Sequence, residues 1–121
     1  MTRMRTVALV LLTCLLLGLA SPAADKPLNL DKFAQCLAQK KATMYGLFWC
    51  THCKDQKDLF GDSFRFVPYV ECGVPGSRGE TQQCKDLGIK RTPTWIFSDG
   101  EHKEGVLQLK DLSSKTGCSL P

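Results

Sequence analysis

The sequence has little histidine and no second close pair of cysteines beside Cys50 and Cys53. Of the two histidines, His52 lies between those cysteines and His102 stands alone, while Cys72 and Cys84 are twelve residues apart. A structural zinc site takes four ligands, usually a second close Cys pair or a close His pair, so no metal is expected. Charge of one sign is scarce as well: 16 Lys and Arg against 12 Asp and Glu leave a formal +4. The charges interleave, as in Lys54-Asp55-Gln56-Lys57-Asp58, the pattern of a solvated helix face, which argues against nucleic acid as a partner. Repeats and low-complexity segments are absent too. The one long apolar run, residues 6–19, is too short to span a bilayer comfortably.

That run follows a short basic segment and precedes Ala20-Ser21-Pro22-Ala23-Ala24, the arrangement of a signal peptide over residues 1–24. Cleavage after Ala24 is favoured over Ala20 or Ala23 and leaves one domain, residues 25–121. A lipoprotein reading through Cys14 is disfavoured, because Thr13 is a poor residue before a lipidated cysteine and the apolar run continues through Leu15, Leu16 and Leu17. Loss of Arg3 and Arg5 lowers the formal charge to +2. Export implies a periplasmic or other extracytoplasmic location, where disulfides persist and six of the seven cysteines remain. If Cys50 and Cys53 pair reversibly, the other four allow three connectivities. The favoured one joins Cys72 to Cys84 and Cys36 to Cys118, each bond contributing ~3 to 4 kcal/mol by chain entropy. A second shuttle built on Cys72 and Cys84 is the functional alternative to two staples.

What the chain does have is Met44-Tyr45-Gly46-Leu47-Phe48-Trp49-Cys50-Thr51-His52-Cys53, an apolar run ending in two cysteines three positions apart. The run reads as a buried strand and the KDQKDLF after it as a helix ending at Gly61. Cys50 then sits at a helix N-terminus, where unpaired N–H groups and the helix dipole favour thiolate by at most ~2 kcal/mol, roughly 1.5 pKa units. His52 is expected to add a hydrogen bond or a positive charge. Cys50 is the expected nucleophile and Cys53, one turn on, the resolving thiol.

Elsewhere, apolar spacing predicts a helix over residues 28–41 capped by Asn29 or Asp31, and a second strand over 64–72 in which Pro68 marks a bulge or an edge. A loop over 73–79 and a short helix over 80–87 come next. Pro93 opens a third strand, and a cis Thr92-Pro93 bond is expected because X-Pro is where a cis peptide is affordable. Ser98-Asp99-Gly100 reads as a hairpin turn, 101–106 as the partner strand and 107–115 as a last helix with Leu109 and Leu112 inward. The order is that of an α/β fold with a sheet between two helix layers.

The Trp-Cys-X-X-Cys at a strand-to-helix junction, Thr92-Pro93 some forty residues later and the closing hairpin with its helix resemble the thioredoxin superfamily over essentially all of residues 25–121. More narrowly, MYGLFWCTHCKDQKDLFG, YVEC and GIKRTPTWIFSDG with EGVLQLKDL resemble the thioredoxin-like domain associated with bacterial vitamin K epoxide reductase homologues. The resemblance implies a three-layer α/β/α sandwich around a mixed four-stranded sheet. It also implies a protein thiol-disulfide oxidoreductase with Cys50 attacking, Cys53 resolving, Pro93 as the cis-proline and Thr92 offering backbone bonds to a bound polypeptide. Trp49 walls the site or serves as a core aromatic. Where cytosolic reductants of the superfamily carry a buried aspartate this chain has Met44. His52 resembles the oxidising, periplasmic members instead, while Thr51 stands where many close relatives have proline.

The expected function is therefore exchange of disulfides with extracytoplasmic proteins by a monomer that needs no cofactor. A separate membrane redox partner, such as a vitamin K epoxide reductase homologue, would recycle it. Two other classes predict different behaviour: a non-catalytic binding module with Cys50 and Cys53 permanently paired, and copper handling by the two thiols. Lys90 and Arg91 either steer acidic substrates or are solvated loop charges.

Overall fold

A computed structural model describes residues 28–121 and, ahead of them, Gly18. The expected leader, its cleavage site and Cys14 lie outside the described residues. Helix α1 spans Asp31–Gln39, strand β1 Thr43–Gly46, helix α2 Thr51–Phe60, strand β2 Tyr69–Glu71 and helix α3 Gln82–Asp86. Strands β3, Thr94–Ile96, and β4, His102–Glu104, form a hairpin, and helix α4, Leu109–Thr116, closes the chain. The sheet order is β2-β1-β3-β4, with β1 parallel to β2 and antiparallel to β3, and β3 antiparallel to β4. This is the expected α/β architecture with a mixed four-stranded sheet.

Alternation along β1 sorts side chains onto two unequal faces. Met44 and Trp95, partners in register, point into a layer built from Phe33, Ala34 and Leu37 of α1, Phe60 of α2 and Leu112 of α4, all 2% exposed or less. Each buried Phe, Leu or Met side chain there contributes about 1.5–3 kcal/mol. The other face is thinner. Tyr45, Val70 and Ile96 pack against Cys72, Cys84 and Ile89, so short α3 is held there largely through its disulfide.

Several elements are shorter than the sequence predicts. α1 starts at Asp31, with Leu30 in the cap position; Asn29 Oδ1 instead accepts from the Asp31 N–H at 2.9 Å. Strand β1 ends at Gly46, so Leu47, Phe48 and Trp49 form a turn rather than the end of a strand. Residues Gly61–Phe66, expected to divide between a break and the second strand, wind as a 3-10 helix. Its Phe64 packs edge-on to Phe60 and Tyr69, Arg65 pairs with Asp31 at 2.8 Å, and the Ser63 hydroxyl accepts from Leu30 N–H while donating to Asp31. Strand β2 is accordingly three residues long, begins after Pro68 and forms the sheet edge.

One polar side chain sits in the core although its neighbours in the chain are charged. Gln56, expected on a solvated helix face, is fully buried. Its Oε1 accepts from Trp95 Nε1 at 3.1 Å and from Leu107 N–H at 2.7 Å, and its Nε2 donates to Leu107 O at 2.9 Å. Leaving one of these groups unpaired would cost about 1–3 kcal/mol. The signal for its burial lies in the spacing of Cys53, Gln56 and Phe60, the three buried positions of α2.

Candidate active site

After Gly46 the chain leaves the sheet, and the Cys50 N–H closes the turn by donating to Leu47 O at 3.1 Å. Cys50 is the N-cap of α2, with extended backbone at φ −88° and ψ 116°. Its sulfur fills the role a serine or aspartate oxygen has at other helices, accepting the Cys53 N–H at 3.1 Å. The same sulfur lies 3.5 Å from the carbonyl oxygen of Thr92, to which the thiol donates. The Thr92-Pro93 bond is cis, and Pro93 is fully buried. The helix start and the start of β3 thus converge on Cys50 Sγ. Cys50 and Cys53 are both free thiols, Cys50 partly exposed and Cys53 only 1% exposed.

Their acidities diverge for reasons visible in this geometry. Burial works to raise the Cys50 thiol, but hydrogen bonds from the side chains of Cys53 and Thr92 and from the backbone N–H groups of Cys53 and His52 outweigh it, and the thiol is held below its ordinary value. Cys53 is pushed up to about 11, first by burial and then by the Cys50 sulfur, against a smaller opposing contribution from the backbone at Leu47. One thiol is poised to ionise and the other to keep its proton.

The His52 side chain lies on the exposed side of the first turn of α2. Its ring is turned to Asp55, with Nδ1 3.6 Å from Oδ2, and is 76% exposed. What bears on the Cys50 sulfur is the His52 backbone N–H.

Trp49 is half-buried beside the site, while the core tryptophan is Trp95. The Trp49 ring meets Phe48 edge-on at 4.5 Å between centroids, and Phe48 is 59% exposed. Both rings rest on Gly73, where a Cβ would lie 2.8–2.9 Å from their carbons, so only glycine fits. The Arg78 guanidinium stands 5.4 Å from the Trp49 ring centre, a contact between loop and site that the sequence does not announce. A hollow of about 350 Å³ opens there between Phe48 and the loop residues Gly76, Ser77 and Arg78.

Cys72 is bonded to Cys84 and Cys36 to Cys118, with Cα atoms 5.7 Å and 5.8 Å apart. The first bond closes the loop that carries Gly73 and Arg78; the second joins α1 to the C-terminal residues. Arg91 lies 3.8 Å from Glu104, an exposed pair. Among the described residues no group of three or more His, Cys, Asp or Glu is arranged to hold a metal ion, and no helix is long and apolar enough to cross a membrane.

No protein-family model matches the chain. Over 83 residues it is 41% identical to thiol-disulfide oxidoreductase LTO1 of Arabidopsis thaliana, a stretch covering 65% of this chain and 22% of that protein. The matched stretch thus spans about a fifth of the length of that relative. The mixed four-stranded sheet with its helices is consistent with a thioredoxin-like domain.

Proposed function

We propose that this chain is an exported protein thiol-disulfide oxidoreductase that exchanges disulfides with extracytoplasmic proteins. A membrane redox partner, such as a vitamin K epoxide reductase homologue, recycles it. The observation that carries the proposal is the Cys50 sulfur serving as the cap of α2, held acidic by hydrogen bonds from the Cys53 and Thr92 side chains and by the N–H groups of the helix start. The 41% identity to a thiol-disulfide oxidoreductase supports it independently.

In this reading the Cys50 thiolate attacks a client disulfide, a mixed disulfide forms, and Cys53 displaces the client by bonding to Cys50. Thr92, backed by the buried Pro93, on one side and Trp49 with Phe48 on the other form the surface on which a client polypeptide lies.

Cys53→Ser, expressed with the leader in place, tests the proposal. It should accumulate mixed disulfides with extracytoplasmic proteins, all through Cys50, that mass spectrometry can identify, and a membrane redox protein among them would support the recycling partner. Cys50→Ser should trap none. Trapping by Cys50→Ser through Cys53 would reverse the two roles.

A further inference from the structure

Cys53 must lose a proton before it can attack, yet it is 1% exposed, so bulk water has little access to it. The neighbouring strand offers a route. Gly46 of β1 pairs in register with Glu71 of β2, and the missing side chain of Gly46 leaves a gap facing α2. A Cβ placed at Gly46 would lie 3.0 Å from the Tyr69 hydroxyl and 3.2 Å from Cys53 Sγ, so hydroxyl and sulfur face each other across that gap. Tyr69 Oη in turn donates to Glu71 Oε1 at 3.3 Å, and Glu71 Oε2 is fixed by the Gly73 N–H at 2.9 Å. Glu71 is partly exposed, which connects the far end of this chain of groups to solvent.

We infer that Tyr69 and Glu71 form the proton relay for Cys53, with Glu71 as the acceptor and the Tyr69 hydroxyl as the conduit; the inference rests on the exchange role proposed above. Burial and the Glu71 carboxylate hold the Tyr69 hydroxyl well above its usual value, so it keeps its proton at rest and passes one on only as it receives another. The other charged group at this place is Lys57, one turn after Cys53 on α2, whose Nζ lies 4.0 Å from the Tyr69 ring centre. Met44, the register partner of Tyr69, is apolar and offers no acceptor.

In the resolving step the Cys53 S–H proton passes, directly or through one water, to Tyr69 Oη while the Tyr69 proton moves to Glu71. The Cys53 thiolate attacks Cys50 Sγ, the Cys50–Cys53 bond forms and the Cys50–client bond breaks. The client leaves as a thiolate that takes a proton from solvent, and Glu71 returns its proton to water. Two thiols of the protein are oxidised and one client disulfide is reduced. When a client is oxidised the steps run backwards and the relay protonates Cys53 as it departs.

Stopped-flow reaction of the reduced protein with 5,5′-dithiobis(2-nitrobenzoate) separates the two events, since attack by Cys50 and resolution by Cys53 each release one coloured thiolate. Tyr69→Phe and Glu71→Gln should leave the first phase within about twofold and slow the second by about a hundredfold at pH 7, the low end of general-base effects. The deficit should shrink as pH rises toward 10 and hydroxide replaces the relay. Gly46→Ala, which lodges a carbon between hydroxyl and sulfur, should show the same second-phase loss with both relay groups intact. A Glu71→Gln second phase that is unchanged or faster overturns the relay, because a Glu71 that is only a negative charge opposing the thiolate would speed resolution when neutralised. Absence of the first phase in the unaltered protein overturns the exchange role and the relay with it.

Discussion

Cys50 and Cys53 are the same side chain one helical turn apart, and their surroundings drive them in opposite directions. Cys50 ends an extended segment, accepts a backbone N–H and remains open to solvent on one side. Cys53 lies inside the first turn of α2, closed in by the layer that contains Phe60 and Trp95, and its thiol is pushed up to about 11. Acidity here is a property of position along the helix rather than of residue type. The four bonded cysteines differ again, holding the frame in which the helix start sits.

If position along α2 sets the difference, removing the frame should weaken the fold without erasing the contrast. Replacing Cys36 and Cys118 by serine opens a loop of 82 residues and should cost about 4.5 kcal/mol by chain entropy, against about 3 kcal/mol for the twelve-residue loop of Cys72 and Cys84. Urea unfolding measures both losses, and thiol titration of each variant while still folded should return the same two unequal cysteines. A Cys50 that reverted to ordinary acidity on loss of a staple would show that the frame, not the helix start, sets the contrast. His52→Ala should have the smallest effect, moving the Cys50 titration by less than about half a unit. The ring faces Asp55 and solvent, where charge is screened, while the backbone N–H that bears on the sulfur is retained. A shift of more than one unit would restore the imidazole to the role the sequence suggests.

Features carried by local spacing are legible in the sequence. The start of α2 at the cysteines, its end before Gly61 and the hairpin between β3 and β4 come from turn residues and apolar periods that neighbouring positions share. The length of β2 is not legible. Phe64-Arg65-Phe66 alternates like a strand, but Phe64 is one helical turn from Phe60 and Arg65 is drawn back to Asp31, so the segment continues to wind. Gln56 is hidden among charges because its partners, Trp95 and Leu107, come from β3 and the segment after β4. The same holds at the site. Arg78 reaches Trp49, and Tyr69 reaches the gap at Gly46, only through the packing of the Cys72–Cys84 loop and the parallel register of β1 with β2. Contacts set by such long-range pairing leave no period in the chain.

The most direct test of the account is the rate of iodoacetamide alkylation at each of the two thiols, resolved by mass spectrometry across pH 5 to 11 on the reduced protein with its two staples intact. A lowered pKa means that the thiolate persists to lower pH, so Cys50 should lose reactivity only as pH falls beneath a midpoint below the ordinary thiol value. Cys53 should stay inert until pH approaches about 11, giving a difference of at least about a hundredfold near neutrality. Superimposable profiles for the two thiols, or a Cys50 midpoint at or above the ordinary value, would contradict it.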